Sequence, residues 1–209
     1  MKKQANNKSR EPLLNEAVFL SLPMGNLKLY MVLLGCKPAG RNTEQHDLFF
    51  GIGRSLSEVK KDMIDFWKEA DGKIHVDGWR EVQSVDGYKV EVVPKEVNGI
   101  TQRERLFFIN LGGYKENEFE EFHYKLLTIA ADKGIAVQRA KQTAFYKHTG
   151  FDGAVSHIDD KYGVDVDDIY EIEDILPSHT KEQYSLRITK AEGVPDDEMH
   201  LGYLKIDKI

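Results

Sequence analysis

The chain has 209 residues, enough for one large domain or two small ones with a real core. At 41% hydrophobic and 31% charged it has the composition of an ordinary globular protein, which excludes a disordered or fibrous one. A formal net charge of −6, with no concentrated run of Lys and Arg, argues against a nucleic-acid partner.

Residues 1–26 are basic and then mildly apolar, with Asn15 and Glu16 interrupting the apolar stretch. They read as a loose polar arm rather than a secretion signal, and Met24 offers a second start. No window approaches the roughly twenty apolar residues of a membrane span, so no membrane partner is expected. Cys36 is the one cysteine, which rules out an intrachain disulfide and points to a reducing, cytoplasmic setting.

Residues 27–94 form a first unit. "KLYMVLL" and "HDLFFGI" are apolar runs rich in β-branched and aromatic residues, hence two buried strands joined by a glycine-containing loop. Ser55 and Glu58 have capping-box spacing, and Val59, Met63, Phe66 and Trp67 recur on one face of the helix expected to follow. "DGK" stops that helix, and "WREVQSV-DG-YKVEVV" reads as a hairpin around an Asp-Gly turn. Residues 95–104 are a short polar linker, so the parts it joins are expected to pack together.

Residues 105–176 say much the same again. A shift of 77 positions carries Leu29, Leu34, Gly35, Glu44, His46 and Ile52 onto Leu106, Leu111, Gly112, Glu121, His123 and Ile129 without a gap. Further on, a shift of 82 carries His75, Asp77, Val82, Asp86, Tyr88 and Glu91 onto His157, Asp159, Val164, Asp168, Tyr170 and Glu173. The expected architecture is therefore α+β: two pseudo-symmetric β-β-α-β-β repeats with mainly antiparallel sheets. Asp132 is the expected N-cap of the second helix. Residues 177–209 add a C-terminal β extension, in which "YSLRITKA" and "HLGYLKI" read as strands covering an edge of the second sheet.

An opening strand ending in Leu-Gly-Gly, a loop, Glu-x-His, a helix, His-x-Asp and an Asp-Gly-Tyr hairpin together resemble the bacterial family called domain of unknown function 1543. The resemblance covers about residues 28–93 and 105–176, as two tandem copies. In the first copy Cys36 stands where the second Gly would be. The resemblance implies a fold pattern and carries no activity.

The residues with chemistry to offer are Glu44, His46, Glu121 and His123, joined by His75, Asp77, His157 and Asp159. Side chains at i and i+2 share a face of a strand, so Glu44 and His46 point with Leu48, Phe50 and Ile52, on a face expected to meet the helix. Read structurally, each pair anchors its loop, because buried polar groups need partners. Read functionally, they are metal ligands or an acid–base pair. The structural reading is favoured. "GIGRS" lies between a strand and a helix but lacks the third glycine of a dinucleotide fingerprint, and Cys36 is read as turn filler rather than nucleophile. Phe49, Phe50, Phe66 and Trp67 are expected in the core, and Trp79 is expected to face Tyr88 across the hairpin.

No cofactor is assigned. The reading is a non-enzymatic cytoplasmic ligand-binding or interaction protein, its partner a small molecule or a second copy of the chain. The alternative is a metal-dependent or acid–base hydrolase-like enzyme using the Glu-x-His pairs.

Overall fold

Three antiparallel sheets and a few helices make an α+β fold, described for residues 27–95, 102–114, 117–149 and 165–209 of a computed structural model. Strands β1 (Lys28–Cys36), β2 (Gln45–Gly53), β3 (His75–Glu81) and β10 (His200–Lys205) form the first sheet in the order β10-β3-β1-β2. Its two faces are both apolar. Tyr30, Val32, Leu34, Cys36 and Phe49 pack on Val59 and Met63 beside helix α1 (Lys60–Phe66). Leu29, Leu48, Phe50 and Ile52 point the other way, into a core shared with the rest of the chain. The Glu44–His46 face is thus the one turned away from the helix, contrary to the sequence expectation.

Helix α1 begins later than the capping pattern implies. Ser55 and Glu58 instead build a turn, in which Glu58 accepts a hydrogen bond from the Arg54 amide at 2.8 Å. Gly51 and Gly53 belong to β2, where a Cβ at Gly51 would fall 2.7 Å from the Phe49 ring. Close packing, not a phosphate, requires glycine there. Phe66 is 45% exposed, its edge against Phe49.

The expected hairpin is split between sheets. "WRE" stays in β3, while β4 (Ser84–Val85), β5 (Tyr88–Pro94) and β9 (Tyr184–Lys190) form the second sheet in the order β4-β5-β9. Asp86 and Gly87 turn the chain with φ of 53° and 76°, the left-handed pair a two-residue hairpin needs. Trp79 stacks on His200 with centroids 3.9 Å apart rather than meeting Tyr88.

The third sheet holds β6 (Arg105–Tyr114), β7 (Glu121–Ala130) and β8 (Asp165–Glu171) in the order β7-β6-β8. Phe107, Ile109 and Leu111 pack on Ala136 and Ala140 of helix α2 (Lys133–Thr149), while Leu106, Phe108 and Ile129 enter the shared core. Asp132 caps α2 by accepting from the Ile135 amide at 2.9 Å. After β8 no second hairpin forms: the short helices α3 (Ile172–Ile175) and α4 (Ser178–Gln183) lead into β9.

Both C-terminal strands pair with strands of residues 27–94, not with the second-half sheet. β9 pairs with β5 along its length, and β10 pairs with β3. Gln102 pins the same edge, donating to the Leu186 carbonyl and accepting from the Ile188 amide. The central sheet is therefore built from both halves. Phe50 and Phe108 meet over it with centroids 5.5 Å apart.

Candidate functional site

The site starts from a register fault. Along β1 and β3, Leu33 faces Gly78 and Leu34 faces Val76, so Asp77 is an extra residue bulged out of the ladder. Along β6 and β8, Asn110 faces Asp168 and Leu111 faces Val166, so Asp167 is bulged in the same way. The positions Leu33 and Leu34 are those of Asn110 and Leu111 shifted by 77. On the other side of the central strand, Gly35 faces His46 and Gly112 faces His123. Each half thus presents one glycine with a histidine beside it and a bulged aspartate folded over it.

The glycines are necessary. A Cβ at Gly35 would fall 2.4 Å from both Asp77 Oδ2 and His75 Nε2, and one at Gly112 would fall 2.6 Å from Asp167 Oδ2. No side chain fits under the aspartate.

In the first half four candidates form a chain of contacts, Glu44 to His75 to Asp77 to His46. His46 Nε2 and His75 Nε2 each lie 3.2 Å from Asp77 Oδ2, and Glu44 Oε1 lies 2.8 Å from His75 Nε2. The two contacts to Asp77 have ion-pair distances but not hydrogen-bond alignment, so that oxygen is buried without a donor. The His75 side chain is 11% exposed and packs on the Tyr203 ring at 4.5 Å, whereas His46 is 42% exposed. Glu44 approaches the ring of His75, again at ion-pair distance without hydrogen-bond alignment, rather than that of its sequence neighbour His46.

The second half is sparser. Glu121, His123 and Asp167 each turn a donor atom to a common point, all within 4.8 Å of one another, with His123 Nε2 3.4 Å from Asp167 Oδ2. Tyr114 donates its hydroxyl to Glu121, and that bond raises the tyrosine pKa. His157 and Asp159 lie outside the described residues. The backbone register puts Asp165 opposite Gly112, where His75 stands opposite Gly35. The register shift between β3 and β8 is therefore 90 positions, not the 82 that sequence identity suggests. Asp167 was not a sequence candidate, although Val166-Asp167 matches Val76-Asp77 and was a readable signal.

The two clusters do not share one cavity. Between the halves lies a separate cleft of about 980 Å3, floored by Met31, Leu33, Leu48, Leu127 and Leu201. Arg80, Lys125, Arg139 and Lys190 bring positive charge to it, and Asp86 and Asp196 bring negative charge. Asp86 is already engaged, accepting from Thr128 Oγ1 at 2.7 Å and the Ile129 amide at 2.9 Å. Arg139 donates to the Ile129 carbonyl, and Arg80 faces Asp197 at 3.9 Å. Lys125 and Lys190 have no carboxylate within salt-bridge reach among the described residues. Glu44, His46, Glu121 and His123 do not line the cleft, though Leu33 and Leu48 stand one row from Gly35 and His46. Cys36 is buried opposite Gln45, and burial first, then the Glu44 charge, raises its thiol pKa, the reverse of what a nucleophile needs.

Residues 41–92 match the family model of the Domain of Unknown Function (DUF1543). The DUF1543 match runs from the loop before β2 into β5 and contains Glu44, His46, His75 and Asp77. No curated protein matches the chain. Among solved structures it is similar to the crystal structure of a protein Il1583 from Idiomarina loihiensis, at 20% identity and a TM-score of 0.54. That similarity covers 87% of this chain and 99% of the other, and it is one of fold. Among the described residues no helix is long and apolar enough to cross a membrane.

Proposed function

We propose that this chain is a non-enzymatic binding protein made of two tandem copies of one unit, whose small-molecule ligand occupies the cleft between them. The cleft carries the reading: about 980 Å3 is the size of a site for a molecule of several hundred daltons. The duplication is supported by the shared ladder register, the paired bulges and the paired Gly–His contacts. A cytoplasmic setting fits the single, buried Cys36.

The lining selects an amphipathic organic anion. Its apolar body lies on Leu33, Leu48 and Leu127, each displaced methylene contributing about 0.8 kcal/mol. Its carboxylate or phosphate pairs with Lys125, whose ammonium has no carboxylate within salt-bridge reach among the described residues. Binding of such anions is read through the fluorescence of Trp79, which lines the cleft. A series of alkyl and aryl carboxylates should quench that emission, with affinity rising with apolar size and falling about tenfold in Lys125→Ala. A series that leaves the emission of the wild-type chain unchanged at millimolar concentration would sink the proposal.

A further inference from the structure

Given the reading of the cleft as a ligand site, on which this step rests, we infer that its ligand is a short acidic peptide. The peptide joins the third sheet as an extra strand along the free edge of β7.

That edge is open where it faces the cleft. β6 is the only strand paired with β7 among the described residues. In an antiparallel pair, every second residue turns both its N–H and its C=O away from the partner strand. Ile129 is such a residue: its amide donates to Asp86 Oδ2 at 2.9 Å and its carbonyl accepts from Arg139, both outside the β6 ladder. Leu127 and Lys125, two and four residues earlier, therefore turn their backbone groups outward in the same way. Both line the cleft, and among the described residues nothing hydrogen-bonds to those four outward groups. Donors and acceptors spaced two residues apart are what an extended peptide meets when it adds to a sheet.

The first half lacks this opening. Leu48 stands where Lys125 does after the shift of 77, and its amide is taken by the Asp47 carboxylate at 2.7 Å. Phe50, the match of Leu127, is buried in the shared core. One edge is closed and the other is left for a partner.

The lining selects the partner's side chains. A strand points alternate residues to opposite sides, so one row of the peptide is apolar, against Leu33, Leu48 and Leu201. Its acidic groups meet Arg80, Lys125, Arg139 and Lys190, which outnumber Asp86 and Asp196. The same charge disfavours a second copy of the chain, because edge-to-edge pairing centred on this stretch would bring two Lys125 ammoniums together.

The test uses the full chain labelled with nitrogen-15, the acetylated tetrapeptide Leu-Asp-Leu-Glu as probe, and octanoate as the control for the cleft itself. The peptide should quench Trp79 emission and slow hydrogen exchange of the Lys125 and Leu127 amides at least about tenfold, whereas octanoate should quench without that protection. Peptides N-methylated at the second or at the third residue should differ at least about tenfold in affinity, since only alternate peptide amides face β7. Octanoate binding without peptide binding at millimolar concentration overturns the inference and leaves the cleft reading standing; binding of neither removes both. Isomers of equal affinity, or bound peptide that leaves the two amides exchanging as before, also overturn it. So do Lys125 and Leu127 amides already protected in the free chain, which would mean that a segment of the chain or a second copy holds the edge.

Discussion

Replacing either site glycine by alanine should have opposite consequences in the two halves. Alanine in a strand costs less backbone entropy than glycine, a gain of about 0.5–1 kcal/mol wherever the new methyl group fits. At Gly35 it does not fit. Its Cβ would stand 2.4 Å from Asp77 Oδ2 and from His75 Nε2, and the His75 side chain is only 11% exposed, with Glu44 2.8 Å away and the Tyr203 ring against it. Overpacking of this kind costs about 1–3 kcal/mol, so Gly35→Ala should be destabilised by a net of about 0.5–2 kcal/mol. At Gly112 the obstruction is only Asp167, whose side chain is 33% exposed and can rotate into solvent. Gly112→Ala should therefore be neutral or more stable by up to about 0.5 kcal/mol. Urea unfolding of both variants measures this, with unchanged slopes showing that only stability has moved. Equal midpoints, or a lower midpoint for Gly112→Ala than for Gly35→Ala, would refute the idea that burial of His75 distinguishes the two sites.

Asp86→Ala removes the acceptor of Thr128 and Ile129 and should cost about 1–3 kcal/mol in a urea titration, whereas Asp86→Asn, which keeps an acceptor and tolerates positive φ, should lose under half of that. Deleting residues 178–209 strips β9 from β5 and β10 from β3, so the shortened chain should associate; a monomer by light scattering would count against this. Burial is the largest influence on Asp197 and raises its pKa above the ordinary 3.8, against the Gln83 amide, Arg80 and the Ser84 amide, which lower it. The folded chain then holds that proton more tightly than the unfolded one, so the contribution is full below pH 3.8 and is lost as pH rises through the folded value. Asp197→Asn should flatten the fall in stability that begins as pH rises above 3.8, and an unchanged slope there would contradict the assignment.

Much of the first half was legible because its signals are local. The apolar run "KLYMVLL", the Asp-Gly turn and the alignment of Gly35 with Gly112 all depend on near neighbours. The direction of the strand faces was not legible. Leu29, Met31 and Leu33 are as apolar as Tyr30, Val32 and Leu34, so alternation cannot say which row meets the helix when both are buried. The pairing of β9 with β5 escaped for another reason: nothing in "YSLRITKA" names a partner so far away in sequence. Glu44, His46, His75 and Asp77 were readable as candidates, but the contacts that Asp77 makes with both imidazoles depend on a bulge, and no residue type announces a bulge. Asp167 was hidden by matching the weaker His-x-Asp pattern instead of the shared Val-Asp pair.

The strand pairing at the centre also sets an order on synthesis. The β4–β5 hairpin leaves the ribosome early, yet the neighbour that covers β5 is β9, roughly a hundred residues later in the chain. Until then Val90, Val92 and Val93 lie along an open sheet edge, next to a first sheet that still lacks β10. A nascent chain in that state invites pairing with another nascent chain, strand β5 against strand β5. Slow translation across residues 95–183 would prolong the hazard, and a chaperone that shields strand edges would be needed most before the last quarter of the protein is made.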